Sequence, residues 1–516
     1  MTTTQSSTPQ AAETASEGVE IRSIDYVPVT ERHGKPWHLG PVWFQGNAQI
    51  STLAVGLLGV SLGLNFIWAA IAIILGAVVG TLFMAFHSAQ GPKLGLPQMI
   101  QSRAQFGFYG SLLPVVVAVL LFIGFNVFNT LLGADVIQAL FPGTGTFVAL
   151  LPVVILSVAL TMIGYHWIHT LLRWATWIFV AAYAVFSIGS LFTVSLPHHS
   201  FDLGGFDFGL FLVQFGVVVS YQLTWAPYVS EYSRYLPPET KTSTVFWWTY
   251  WGSALGGILP FMVGAFIISA ATSAAPVAEV HDVANQIFSG FGTIIMLCSL
   301  PGLVAVTAMN MYSGGLSTLT TVDTVKRIRP TFTARWVSIG FITVAGTVLA
   351  LSLSEHFLTN FENYLFLILY FMIPWTAVNL IDFFYVRKGN YAIRELFIPR
   401  GMYGMWSWRG LLAYGIAFAA MIPFMSTTIY EGPIAKHLSG GDISPFIGFP
   451  IAAGLYYLFS RSIDVASEAR VAADQKDLLE AEAMAHEEIG EEPAFDVGAR
   501  VSDEFEAARV ERHPGA

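Results

Sequence analysis

The sequence predicts an all-α integral membrane protein of about 12 transmembrane helices, organised as two inverted five-helix repeats plus two C-terminal helices. Three observations carry that expectation. The 516 residues are 54% hydrophobic and only 11% charged, a balance that excludes an ordinary soluble enzyme. Apolar runs of roughly 20 residues, the length a helix needs to cross hydrocarbon, recur along the chain. Two of these runs, five spans apart, are interrupted by polar and aromatic residues: Trp43-Phe-Gln-Gly-Asn47 in the first and Trp225-Ala-Pro227 in the sixth. Backbone freed at membrane depth must face protein or a watery cavity, so paired interruptions mark discontinuous helices at a midplane site between two repeats.

In chain order, residues 1–40 form a polar N-terminal segment without an apolar core, so no cleavable signal is read and the first span drives insertion. The transmembrane domain is expected over 41–461, with repeat one at about 41–195, repeat two at about 209–386 and the extra helices at about 409–461. Spans are read at 41–63, 66–87, 112–140, 147–164, 168–194, 209–234, 245–271, 287–313, 335–353, 361–386, 409–425 and 445–459. The connection after the second span, with Gly91, Pro92 and Pro97, suits a short interfacial helix starting at Pro97. Cys298 is the single cysteine, so there is no disulfide framework. Residues 462–516 are read as an acidic tail, a solvated, partly helical or disordered extension in which the formal charge of −10 is concentrated.

Charge sets the expected orientation. Lys93, Arg103, Arg234, Lys241, Lys326, Arg387, Lys388 and Arg400 fall on the side of the termini, whereas the opposite connections hold Asp202, Asp207, Glu279, Asp282, Glu355 and Asp442, with Lys436 the lone cation. The positive-inside rule then places both termini in the cytoplasm of a multi-pass plasma-membrane protein.

The richest chemistry lies in the sixth span. Pro227 lacks an amide proton, and Gln222, Thr224 and Trp225 bring hydrogen-bonding groups into a span, which points to a solute site around Trp225. Phe125 and Asn129 are four residues apart and share a face of the third span; Asn310 adds an amide from the eighth. Aromatic faces together with amides suit a flat, neutral ring with alternating donors and acceptors, such as a nucleobase. The candidate substrate-binding residues are Phe125, Asn129, Gln222, Trp225 and Asn310, with Asn47, Gln49 and Tyr221 as additional candidates. Bland readings stand beside these: Phe125 as a packing ring, Asn129 as interhelical glue, Asn47 and Gln49 as partners of unwound backbone. Glu231 and Arg234, three apart at the end of the sixth span, read as a gate or structural ion pair, and Asp382 with Arg387 reads the same way. No set of His, Cys and carboxylates has metal-ligand spacing and no nucleophile stands beside a base, so no metal, cofactor or enzymatic activity is expected. The partners called for are a small solute and the lipid bilayer, with no nucleic acid and no obligate protein partner. A membrane channel or membrane-embedded enzyme is the competing class; a channel would more naturally show a repeated filter sequence.

Five motifs in order carry a resemblance: Trp43-Phe-Gln-Gly-Asn47, Gly124-Phe-Asn-Val-Phe-Asn129, Trp225-Ala-Pro-Tyr-Val-Ser-Glu-Tyr-Ser-Arg-Tyr235, Asn310-Met-Tyr-Ser313 and Asn379-Leu-Ile-Asp-Phe-Phe-Tyr-Val-Arg387. Together they resemble the nucleobase:cation symporter-1 family, in its purine-cytosine permease branch. The resemblance implies a LeuT-like fold, alternating access and coupled uptake of cytosine or a purine, with allantoin, hydantoin or a thiamine-like compound as alternatives. It also implies that Trp225 stacks on the solute, that Phe125 takes a position often held by tryptophan, and that Asn129, Asn310 and Gln45 read the ring edge. Sodium-coupled members of this fold hold the ion between carbonyls of the broken first span and two hydroxyl side chains on the eighth. Here that pair falls on Ala308 and Met309, which offer no side-chain oxygen, so proton coupling is expected, with sodium as the alternative.

Overall fold

The computed structural model describes residues 24–480, except 164, 272–274, 327, 329–331 and 354–356. The acidic run from 481, the first 23 residues and Glu355 therefore lie outside the described residues. Among the described residues the chain is helical, with one isolated bridge between Ser426 and Glu431. Seven helices are long and apolar enough to cross a membrane: Phe66–Leu94, Leu112–Leu140, Phe208–Ser233, Thr242–Ile268, Phe291–Val325, Thr333–Leu353 and Asn360–Val386. The remaining five expected positions are also helical, but shorter, broken or only partly described. They are the fragmented first span (Leu39–Asn47, Ile50–Gly56, Leu58–Ser61), Thr146–Ile163, Tyr165–Thr193, Trp408–Met421 and Ser444–Phe459.

The packing has the symmetry that inverted repeats require. The first span packs on the seventh and the sixth on the second; the third packs on the eighth, the fourth on the eighth and the ninth on the third. Exchanging each span with the one five places on leaves that pattern unchanged. The first and seventh spans meet backbone to backbone because the seventh carries glycine at the contact: a Cβ on Gly256 would lie 2.4 Å from the Phe44 carbonyl oxygen and one on Gly252 2.3 Å from that of Gly40. Small residues permit such an approach between membrane helices.

Three expectations are corrected. The eighth span is not 287–313: it runs from Phe291 to Val325, and a separate helix, Pro276–Ile287, precedes it. The segment after the second span is packed inside the protein rather than forming a single helix from Pro97. It forms short helices, Gly91–Leu94, Gln98–Gln101 and Arg103–Phe106, and its glutamines are buried because their amides find partners only inside. Gln98 Nε2 donates to Gln90 Oε1 at 3.0 Å and approaches His87 Nδ1 at 3.1 Å, while Gln101 Nε2 donates to Ser230 Oγ at 3.1 Å. Finally, the start of the acidic tail is a docked helix, Val465–Asp474, whose Glu468 is buried against Arg387.

Both terminal segments lie at one end of the bundle. Val27 N donates to Gly95 O at 2.9 Å, and Tyr26 OH donates to Glu480 Oε1 at 2.5 Å.

Candidate functional site

The two broken spans create the site. The first loses its helix at Ala48 and Gln49, where Gln49 is extended (φ −157°, ψ 169°), and regains it at Ile50. Its side chains close the gap: Gln49 Nε2 donates to Gly46 O at 2.5 Å, and Asn47 Nδ2 donates to Trp43 O at 2.9 Å. The α-helix of the sixth stops at Leu223, passes through a 3₁₀ turn at Ala226–Tyr228 that accommodates Pro227, and resumes for five residues at Val229–Ser233. Trp225 lies at this break against Gly46, where a Cβ would come within 3.4 Å of the indole. Trp43 meets its ring edge-on at 5.7 Å and Tyr228 is tilted against it at 5.6 Å.

Between these breaks and the third and eighth spans lies a cavity with about 230 Å³ of unfilled space. Phe125, Asn129, Trp225 and Asn310 all line it, as do Gln49 and Tyr221. Thr224, which the sequence marked beside Trp225, helps complete the wall with Tyr228 and Val306, and the last two were not among the sequence candidates. The signal for Tyr228 was present: Tyr221, Trp225 and Tyr228 are spaced i, i+4, i+7, one helical face.

Gln222, Asn47 and Gln45 do not line the cavity. Gln222 is one residue off the aromatic face and turns to the seventh span, where its Oε1 accepts from Ser253 Oγ at 2.9 Å. Asn47 Nδ2 donates to the same hydroxyl at 3.0 Å, so both amides join the first, sixth and seventh spans. Gln45 is directed to the eighth span near Gly302, 3.7 Å from where a Cβ there would sit. Glu231 and Arg234 are buried near the terminal end: Ser313 Oγ donates to Glu231 Oε2 at 2.5 Å, and Arg234 Nη1 reaches Asp25 O at 3.3 Å.

Among the described residues, no charged side chain lines the cavity. Three polar groups of lining residues are left open: Trp225 Nε1, Asn129 Oδ1 and Gln49 Oε1 are buried and have no hydrogen-bond partner among the described residues. The Gln49 amide cannot simply be reversed, because Gly46 O accepts and only the nitrogen can serve it. The cavity thus offers a donor, at least one acceptor and several ring faces, which is the equipment for a flat neutral molecule with polar edges.

Comparison with known proteins agrees with this chemistry. The profile of a family described as permeases for cytosine/purines, uracil, thiamine and allantoin matches residues 26–448. The putative purine-cytosine permease YxlA of Bacillus subtilis is 38% identical over 449 residues, covering 86% of this chain and 96% of the relative. The purine-cytosine permease fcyB of Emericella nidulans is 27% identical, covering 85% and 87%. Among solved structures, Mhp1, a nucleobase-cation-symport-1 family transporter in a closed conformation with bromovinylhydantoin bound, matches with a TM-score of 0.69 at 17% identity. The match covers 88% of this chain and 98% of Mhp1.

Proposed function

This chain belongs to the family of permeases for cytosine/purines, uracil, thiamine and allantoin, the nucleobase:cation symporter-1 family, and on that premise we propose that it takes up a nucleobase of the cytosine or purine class by cation symport, with the proton as coupling ion. It is a membrane transporter and not an enzyme. The observation that carries the substrate reading is the set of unpartnered buried groups, Trp225 Nε1, Asn129 Oδ1 and Gln49 Oε1, beside the rings of Phe125, Trp225 and Tyr228. A nucleobase stacks on such rings for about 1–3 kcal/mol and satisfies the polar groups with its edge. Asn310 supplies a further amide from the eighth span.

Support for the proton is the lack of side-chain oxygens at the eighth-span positions where the resemblance puts the hydroxyl pair. Ala308 and Met309 are buried and carry no side-chain oxygen, and the Thr307 hydroxyl already donates to Leu303 O at 2.7 Å. A hard cation needs several oxygens. The charge distribution of the connections supports termini on the cytoplasmic side of a plasma membrane.

Uptake of labelled cytosine and adenine by cells expressing the protein tests the substrate, with unlabelled allantoin, hydantoin and thiamine as competitors. We expect the bases to enter and the other three to compete poorly; potent competition by one of the three reassigns the solute. For the ion, uptake in sodium-free buffer under an imposed pH gradient should persist and collapse with a protonophore. Strict sodium dependence with indifference to the protonophore, at clamped membrane potential, rejects the proton.

A further inference from the structure

The lower piece of the sixth span, Val229–Ser233, is five residues long and is cut off from Phe208–Leu223 by the break at Trp225. A continuous helical ladder therefore does not fix its position relative to the upper piece; side chains must do so. Ser233 Oγ donates to Ser88 O at 2.7 Å and Ser230 Oγ accepts from Gln101 Nε2 at 3.1 Å, which ties the piece to the second span and the segment after it. Glu231 makes the tie in another direction. Its Oε2 accepts from Ser313 Oγ at 2.5 Å, and Ser313 belongs to the eighth span. Both residues are buried, at 3% and 0% exposure.

The location of this bond follows from spacing. Glu231 is three residues beyond Tyr228 and Ser313 three beyond Asn310, and both Tyr228 and Asn310 line the cavity. Residues i and i+3 share a helix face, displaced by about 4.5 Å along the axis. The Ser313–Glu231 bond therefore lies about one turn beyond Asn310 on the eighth span and ties that helix to the lower piece of the sixth, just past Tyr228.

We propose that Ser313 and Glu231 are positioning residues for substrate recognition: their bond sets the spacing between the Trp225–Tyr228 rings and the Asn310 amide, so that a ring stacked on one wall meets the hydrogen-bonding group of the other. This rests on the reading that Trp225 and Asn310 hold the solute. Neither residue touches the cavity, and each acts through the neighbour one turn above it. A hydroxyl donating to a carboxylate is among the stronger side-chain bonds, and a buried one holds its two helices in a single register.

The test uses full-length protein, purified and reconstituted, with labelled cytosine and adenine as probes. Ser313→Ala should raise the Kd for the better-bound base about three- to tenfold, the loss expected when one buried bond no longer organises a site. Maximal exchange rate at saturating base should stay within about twofold of wild type, because the chemistry of the walls is intact. Ser313→Thr keeps the hydroxyl and should bind like wild type, and Glu231→Gln, whose amide oxygen still accepts, should fall between. Thermal unfolding of each variant separates recognition from folding. A Ser313→Ala protein whose Kd is unchanged while its melting temperature falls would overturn the proposal, since the bond would then be structural only. So would a Ser313→Thr protein as stable as wild type that binds as weakly as Ser313→Ala. If wild-type protein binds neither base, the substrate reading fails separately, and the same variants are scored on whichever of allantoin, hydantoin and thiamine binds.

Discussion

Two buried polar clusters in this molecule treat their hydrogen-bonding groups in opposite ways. Around Asp382, one carboxylate oxygen accepts from Arg387 Nη1 and Tyr456 OH, the other from Gln105 Nε2 and Tyr391 OH. Arg387 then spends Nε and Nη2 on the two oxygens of Glu468, at 2.7 and 3.1 Å; only the Gln105 amide oxygen is left over. Around Trp225, an equally buried donor and two amide oxygens are left without partners. An unmet buried polar group costs about 1–3 kcal/mol. The first cluster is complete within the protein and serves to join the tenth span, the twelfth and the docked C-terminal helix. The second is left incomplete within the protein, which is what the proposed solute site requires.

Substitutions can break or sharpen this contrast. The largest effect belongs to the finished cluster. Arg387→Ala strands two buried carboxylates, and its expected loss of about 3–5 kcal/mol should appear as a much lower unfolding temperature of the purified protein. Near wild-type stability in that variant would erase the distinction between the clusters. Asn310→Ala should do the reverse, leaving unfolding almost unchanged while weakening base binding roughly ten- to hundredfold by equilibrium binding. Trp225→Phe keeps a ring and deletes the unpartnered N–H, so its loss should be several-fold, about 0.5–1.5 kcal/mol; binding equal to wild type would mean that the indole nitrogen is not read. The smallest effect is expected from Gln222→Ala. Its bonds run to Ser253 and away from the cavity, so Kd should move by less than about twofold even if stability drops by the roughly 1 kcal/mol of a buried hydrogen bond. A tenfold change would return Gln222 to the site.

Much of this was legible in the sequence because the bilayer simplifies the problem. Each span must be helical, so Pro227 and the polar run around Gly46 could be read as breaks, and Phe125 with Asn129 could be placed on one face by spacing alone. The sequence could not say which way an amide next to a break would turn. Gln222 and Trp225 are three residues apart, yet the first faces the seventh span and the second the cavity. Gln49 shows the converse: it looked like a partner for loosened backbone and is one, through its nitrogen, while its oxygen faces the cavity. The buried segment from Gly91 to Phe106 was misread for a related reason. Its glutamines look solvent-facing in isolation, and only tertiary contact with His87 and Ser230 explains why they are inside.

The bond between Tyr26 and Glu480 has a temporal side. Its partners are separated by 454 positions in the chain, and a ribosome adding about 5–20 residues per second needs roughly 20–90 s to travel from one to the other. Throughout that interval the early segment can rest on Gly95, which is made soon after it, but its later anchor does not yet exist. Closure of this contact is therefore among the last events of biogenesis, and a nascent chain stalled before the twelfth span would leave the Tyr26 hydroxyl without its carboxylate partner.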